Sequence, residues 1–243
     1  MINEENFNIS LCKGRKTKNN PNIYTNNELR NFLKELELPI SGKKTELTKR
    51  IVNYMNNKPY PIDCGGSGNC LFSVIARILK EITGKKWKSN IVRQLTARSI
   101  TDENIDTILE NYLVEYKNAE DDFLWDPTKI NECSSVSEKT KELKSIIKTD
   151  GFTYEGDDVS LTLLSKSKIF NKYKLGIVIV TDTCQITFIQ DMPYEPERYA
   201  IIYNMSNYHW QLVGARINNK KKIIFLEDEL DKVFENFNGE WFS

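Results

Sequence analysis

Asp63-Cys64-Gly65-Gly66-Ser67-Gly68-Asn69-Cys70-Leu71-Phe72 is the stretch on which the reading of this chain turns. Three glycines fall within four positions, and a cysteine then opens a run carrying Leu71, Phe72, Val74, Ile75, Ile78, Leu79 and Ile82. Apolar residues on nearly every side predict a buried central helix over 70–82. Glycines let the backbone take positive φ and approach another group closely. The first amides of a helix lack intrahelical partners and point outward. A thiol at that place feels the positive end of the helix dipole, which favours the thiolate. The amides of Gly66, Ser67, Gly68, Asn69 and Cys70 form a candidate oxyanion hole. A buried structural cysteine is the plain alternative for Cys70. A glycine-rich turn before a helix also suits phosphate, but neither Gly-x-x-x-x-Gly-Lys-Ser/Thr nor Gly-x-Gly-x-x-Gly occurs in the stretch.

A cysteine nucleophile needs a base within hydrogen-bond reach. The chain has a single histidine, His209, in Asn207-Tyr208-His209-Trp210-Gln211 at the start of a strand-like run. A lone histidine is ordinarily structural or on the surface. If a Cys–His pair operates here, its imidazole is His209. Strand alternation puts 209 and 211 on one face, so Gln211 is the candidate for orienting the ring. Asp63, upstream of the glycine turn, is the alternative. Trp210 is read either as the wall of a substrate channel or as a core aromatic.

Around these residues the chain divides in two. Residues 1–60 carry 11 Lys/Arg against 6 Asp/Glu, and 61–243 carry 23 against 28, so a basic front end precedes an acidic body. Residues 1–20, with Lys13-Gly14-Arg15-Lys16-Thr17-Lys18, read as a flexible basic tail. Residues 21–57 read as two short helices. Thr25 and Glu28 make a capping box, and Leu29, Phe32, Leu33 and Leu36 form one apolar stripe. Pro39 to Gly42 breaks the first helix, and the second carries Leu47 and Ile51 inward. Residues 56–59 read as a linker to a main domain over 59–243. In that domain, residues 88–150 look helical and polar, with an acidic stretch at Glu120, Asp121 and Asp122. Strand-like runs cluster late, at 175–181, 185–190, 200–204, 209–216 and 221–225. Helices first and strands later predict an α+β fold with helices around a small, mostly antiparallel sheet.

Several classes are set aside. No apolar run reaches the roughly 20 residues that span a bilayer, and the first residues lack a signal-peptide pattern. Five scattered cysteines suit a reduced, intracellular protein, cytoplasmic or nuclear. With one histidine and no zinc spacing, neither metal nor cofactor is expected.

Gly68-Asn69-Cys70-Leu71-Phe72, with Tyr208-His209-Trp210 far downstream, resembles the ovarian-tumour (OTU) family of deubiquitinating cysteine proteases. Residues 156–164 and 176–180 look like that family's intervening helix and strand. The resemblance covers roughly residues 60–226 and leaves a cellular or a viral source open. It implies a papain-type fold, Cys70 as nucleophile, His209 as base, and ubiquitin or polyubiquitin as partner. It also implies a ubiquitin-contacting arm near 100–150. Two positions depart from the family pattern: Ser67 stands where an Asp is usual, and Gln211 where an acid or Asn is common. Processing of a polyprotein or a ubiquitin-like modifier, or an inactive ubiquitin-binding domain, are the alternatives. The stretch from Leu29 to Leu47 resembles a SAP motif, with Glu37 replacing the usual glycine. That likeness implies DNA contact through Lys43, Lys44, Lys49 and Arg50, against a hairpin that only packs on or tethers the protease.

Overall fold

The computed structural model describes all residues except 1, 3–5, 37, 58, 119–124, 152, 184, 191, 206–208, 218–219 and 235–243; of 56 and 57 it describes only the backbone. Glu37, the acidic stretch Glu120, Asp121 and Asp122, Cys184 and Tyr208 therefore lie outside the described residues. The elements run in the order α1 (Asn26–Glu35), α2 (Lys44–Asn57), β1 (Tyr60–Ile62), α3 (Cys70–Thr83), α4 (Ser89–Arg98), α5 (Ile105–Asn118), α6 (Pro127–Asn131), α7 (Val136–Lys148), α8 (Asp158–Ser165) and α9 (Lys168–Tyr173). They continue with β2 (Leu175–Thr181), β3 (Ile186–Phe188), β4 (Arg198–Met205), β5 (His209–Ile217), β6 (Lys220–Lys222) and α10 (Glu227–Phe234). The fold is α+β: helices surround a small mixed sheet, and a helical hairpin precedes them.

The sheet runs β1-β5-β4-β2-β3, with β6 pairing to β5. Its pairings are antiparallel except that of β2 with β4, which is parallel. Strand alternation splits the side chains into two layers. Leu175, Ile177, Ile179, Ala200, Ile202, Trp210 and Leu212 join the larger core with α3, while Val178, Val180, Ile201, Tyr203, Val213 and Ala215 meet α10. β2 is covered on both faces, which is why it reads as a continuous apolar run rather than an alternating one. β1 has no such signature: three residues with a proline in the middle carry too little pattern to read. It exists because it pairs with β5, setting Tyr60 opposite Gly214 and Ile62 opposite Leu212.

α3 is the central helix. Leu71, Phe72, Val74, Ile75, Ala76, Ile78 and Leu79 are buried, leaving a polar side on which Arg77, Lys80 and Glu81 are exposed and Ser73 is half-buried. Gly84 ends it in the left-handed conformation, as helix C-termini favour.

The hairpin forms as its caps dictate. Thr25 N–H donates to Glu28 Oε2 at 2.6 Å, and Glu28 N–H donates to Thr25 Oγ1 at 3.2 Å. α2 runs to Asn57, through residues that read as a linker, and packs against β5. Ahead of the hairpin, where composition suggests a solvated tail, the chain packs. Phe7 stacks on Tyr24 with ring centroids 5.9 Å apart, Ile2 and Cys12 are buried against Leu29, Phe32, Leu33 and Ile51, and Lys44 donates to Gly14 O. The reason is that two short helices leave one side of their apolar stripes uncovered, and this segment covers it.

Lys16 donates to Glu28 at 2.8 Å, and this bond, with the capping-box bonds from Thr25, holds the Glu28 carboxyl at about 2. A carboxylate lowered in the folded state stabilises it above the ordinary value of about 4.3, and the contribution fades as pH falls through the folded value. Acid titration of the wild type followed by circular dichroism therefore shows a loss of stability between about pH 4 and 2 that is smaller in Glu28→Gln.

Candidate functional site

The glycine turn between β1 and α3 takes unusual backbone angles. Gly65 has φ +105 and Gly68 φ +74, and Ser67, which has a Cβ, sits at φ +62. A left-handed non-glycine residue is uncommon and costs on the order of 1 kcal/mol or more. The turn holds because its polar groups are tied down. Asp63 Oδ1 accepts from Gly65 N at 2.8 Å, and Asn69 N donates to Gly66 O at 3.4 Å.

The strongest restraint is Arg93, fully buried in α4. Its Nε donates to Asn69 Oδ1 at 2.7 Å, and its Nη2 donates to Gly68 O at 2.8 Å and Tyr154 O at 2.7 Å. Nη1 donates to Ile147 O at 3.0 Å, Nη2 also reaches Gly151 O at 3.1 Å, and the guanidinium lies 4.2 Å from the Phe72 ring centroid. Asp150, 3.7 Å from Nε, is its carboxylate partner. Asn69 therefore does not cap α3 with its side chain; that side chain is spent on Arg93. Sequence reading missed Arg93. The signal was there: a charged residue sits inside the stripe Val92, Thr96 and Ala97 of α4, continued by Ile100 just beyond it.

The turn delivers Cys70 as the first residue of α3, 4% exposed. The helix-end argument expects a lowered thiol, and the structure gives the opposite direction. Burial pushes the Cys70 thiol up, while the amides of Trp210, Leu71 and Cys70 itself pull it back. Desolvation of the charged form outweighs the helix end here. The sulfur thus lies against the backbone of β5 at Trp210, one residue from His209. His209 Nε2 lies 3.8 Å from Asp63 Oδ1, within ion-pair reach but too long for a hydrogen bond.

The other expected residues fall as follows. Gln211 is half-buried opposite Tyr203 and makes no hydrogen bond to His209. The carboxylate that approaches the ring is Asp63: β1–β5 pairing ends at Ile62 and Leu212, and the chain that leaves it carries Asp63 Oδ1 to 3.8 Å from His209 Nε2. Trp210, expected as a channel wall or a core aromatic, is 4% exposed and packs in the core; alternation points it inward with Leu212. In the turn, the Asn69 amide is turned to Gly66 O, whereas Gly66 and Ser67 are exposed. In the hairpin, Arg50 donates to Pro39 O and Ser41 O, and Lys44 to Gly14 O. Lys43 and Lys49 make no side-chain bond among the described residues.

Residues 24–56 match the family model of the SAP domain. No curated protein matches the chain. Among solved structures, an OTU deubiquitinase from Wolbachia pipientis wMel aligns with TM-score 0.40 at 16% identity, covering 72% of this chain and 96% of that one. An OTU deubiquitinase of the same organism bound to ubiquitin aligns with TM-score 0.37 at 15% identity, covering 68% and 99%.

Replacing Arg93 by Met leaves several buried carbonyls without a donor, and unsatisfied buried acceptors cost about 1–3 kcal/mol each. Arg93→Met should lose about 3–5 kcal/mol in urea denaturation. Arg93→Lys, which keeps the charge but not the fork, should lose less.

Proposed function

We propose that this chain is a cysteine-dependent isopeptide hydrolase of the OTU type, releasing ubiquitin from lysine side chains. What carries the reading is the convergence of Asp63, His209 and Cys70 where the glycine turn enters α3. The motif likeness at residues 68–72 and 208–210 supplies the substrate class.

In this reading Cys70 rests as a buried thiol until His209 takes its proton. With Nε2 turned to Asp63, Nδ1 is the nitrogen left for that proton. The thiolate attacks the carbonyl carbon of ubiquitin's terminal glycine, and the oxygen takes the negative charge against amides of the turn and of Cys70. His209 then gives the proton to the departing lysine amine as the C–N bond breaks. Water attacks the thioester, passing its proton to His209; the C–S bond breaks and the thiol is restored. Asp63 favours the imidazolium that forms in between.

Cys70→Ala and His209→Ala should each lower di-ubiquitin cleavage at least about a thousandfold. Asp63→Asn should lower kcat/KM by about tenfold or more, with Gln211→Ala near wild type. Wild-type cleavage by Cys70→Ala, or labelling of Cys64 or Cys133 by an electrophilic ubiquitin probe, would defeat the assignment.

For the hairpin, the SAP match supports contact with duplex DNA. Of the four cations expected to contact DNA, Lys44 and Arg50 are bonded to backbone carbonyls, which leaves Lys43 and Lys49 for phosphate. Lys43→Glu/Lys49→Glu should weaken duplex binding in electrophoretic shifts and flatten its salt dependence by about two phosphate contacts. No shift of the wild type at low salt would remove this role.

A further inference from the structure

A groove of about 650 Å³ runs from Asp63 along the polar stripe of α3 to the turn before α4. Its floor is apolar, with Ile62, Cys64 and Trp87 half-buried. The far end is built rather than loose. Thr83 Oγ1 accepts from Trp87 Nε1 at 3.0 Å and from Lys85 N at 3.2 Å, and donates to Leu79 O at 2.6 Å. The indole is thereby held as a fixed plate against the end of α3.

The walls carry charge of one sign. Arg77 and Lys80 from α3, and Lys86 and Lys88 from the turn, all line the groove and all are exposed. None of the four makes an ion pair among the described residues. The single carboxylate in the lining is Asp63, and it already faces His209 and Gly65 N. Four unpaired cations thus gather in one concavity of a body that carries 23 Lys/Arg against 28 Asp/Glu over residues 61–243. An apolar floor between cationic walls favours an anionic peptide, which presents both carboxylates and aliphatic stems. It suits a nucleic-acid strand less well, because the carboxylate of Asp63 in the lining would face the phosphates.

Position decides which part of a substrate lies there. The groove begins at Asp63, whose Oδ1 is 3.8 Å from His209 Nε2, so a chain leaving the scissile bond on that side enters it. The basic tail of ubiquitin is repelled by such walls. We infer that this groove binds an acidic segment of the protein that carries the modified lysine, and so selects substrates on the leaving-group side. This rests on the proposed hydrolase activity.

The test compares ubiquitin joined to the lysine of three short peptides, acidic, neutral and basic around that lysine, and in parallel measures binding of a fluorescein-labelled Glu-rich peptide by anisotropy. Exposed pairs contribute modestly each, so three or four together give about a tenfold preference in kcat/KM for the acidic over the neutral conjugate, mostly in KM. The preference should shrink between about 50 and 300 mM salt. Lys86→Glu/Lys88→Glu should abolish or invert the ratio, and Lys86→Gln/Lys88→Gln should reduce it. Equal rates on acidic and neutral conjugates would overturn the inference. So would a short oligonucleotide that displaces the labelled peptide more tightly than unlabelled peptide does, which would make the groove a phosphate site. No cleavage of any conjugate, with charge-dependent peptide binding retained, would sink the hydrolase reading and leave the groove assignment standing.

Discussion

The buried guanidinium of Arg93 is the constraint on which the candidate site depends. One side chain gathers Asn69 and Gly68 from the glycine turn, Ile147 from the end of α7, and Gly151 and Tyr154 from the segment that follows. A charge taken fully out of water is tolerable only when its hydrogen-bonding capacity is met, and the rigid fork of arginine meets it with several acceptors at once. The consequence for chemistry is positional. With the Gly68 carbonyl and the Asn69 side chain held from behind, the turn keeps its left-handed residues, and Cys70 enters α3 at a fixed place. Tyr154 extends the anchor, since its hydroxyl meets Tyr112 and Ser160 and accordingly ties α5 and α8 to the same point.

The sheet supplies the other half of the site. β1 is short, and just past the end of its pairing with β5 the Asp63 carboxylate comes to 3.8 Å from His209 Nε2. The packing of α3 against β5 sets the Cys70 sulfur on the Trp210 amide. Two faces of one strand divide the work: Trp210 and Leu212 fill the core, while His209 stands half-exposed at the strand's edge. The same arrangement leaves the polar stripe of α3 facing outward, so the cationic groove is a by-product of burying the rest of that helix.

Much of this was readable from residues. The apolar run after Cys70 announced a central helix, and Thr25 with Glu28 announced a cap that the structure builds. The late strands came from their β-branched runs. Less readable were features that depend on distant partners. Arg93 looked like one more cation in a polar helical region, because its acceptors lie 24 to 61 residues away in the chain. The parallel pairing of β2 with β4 leaves no local mark. The front segment reads as polar by composition, while its Phe7 and Cys12 close the hairpin's small core.

By itself the sequence determined which side chains have the chemistry: one imidazole, a cysteine after a glycine turn, and an apolar helix to carry it. Only the tertiary structure decided that Asp63 rather than Gln211 faces the imidazole, that Trp210 lies in the core, and that burial outweighs the helix end at the thiol. The physical reason is that residue type and local periodicity are properties of neighbours in the chain. Desolvation and the approach of charges are properties of neighbours in space, and these are set when α3, α4 and β5 pack together.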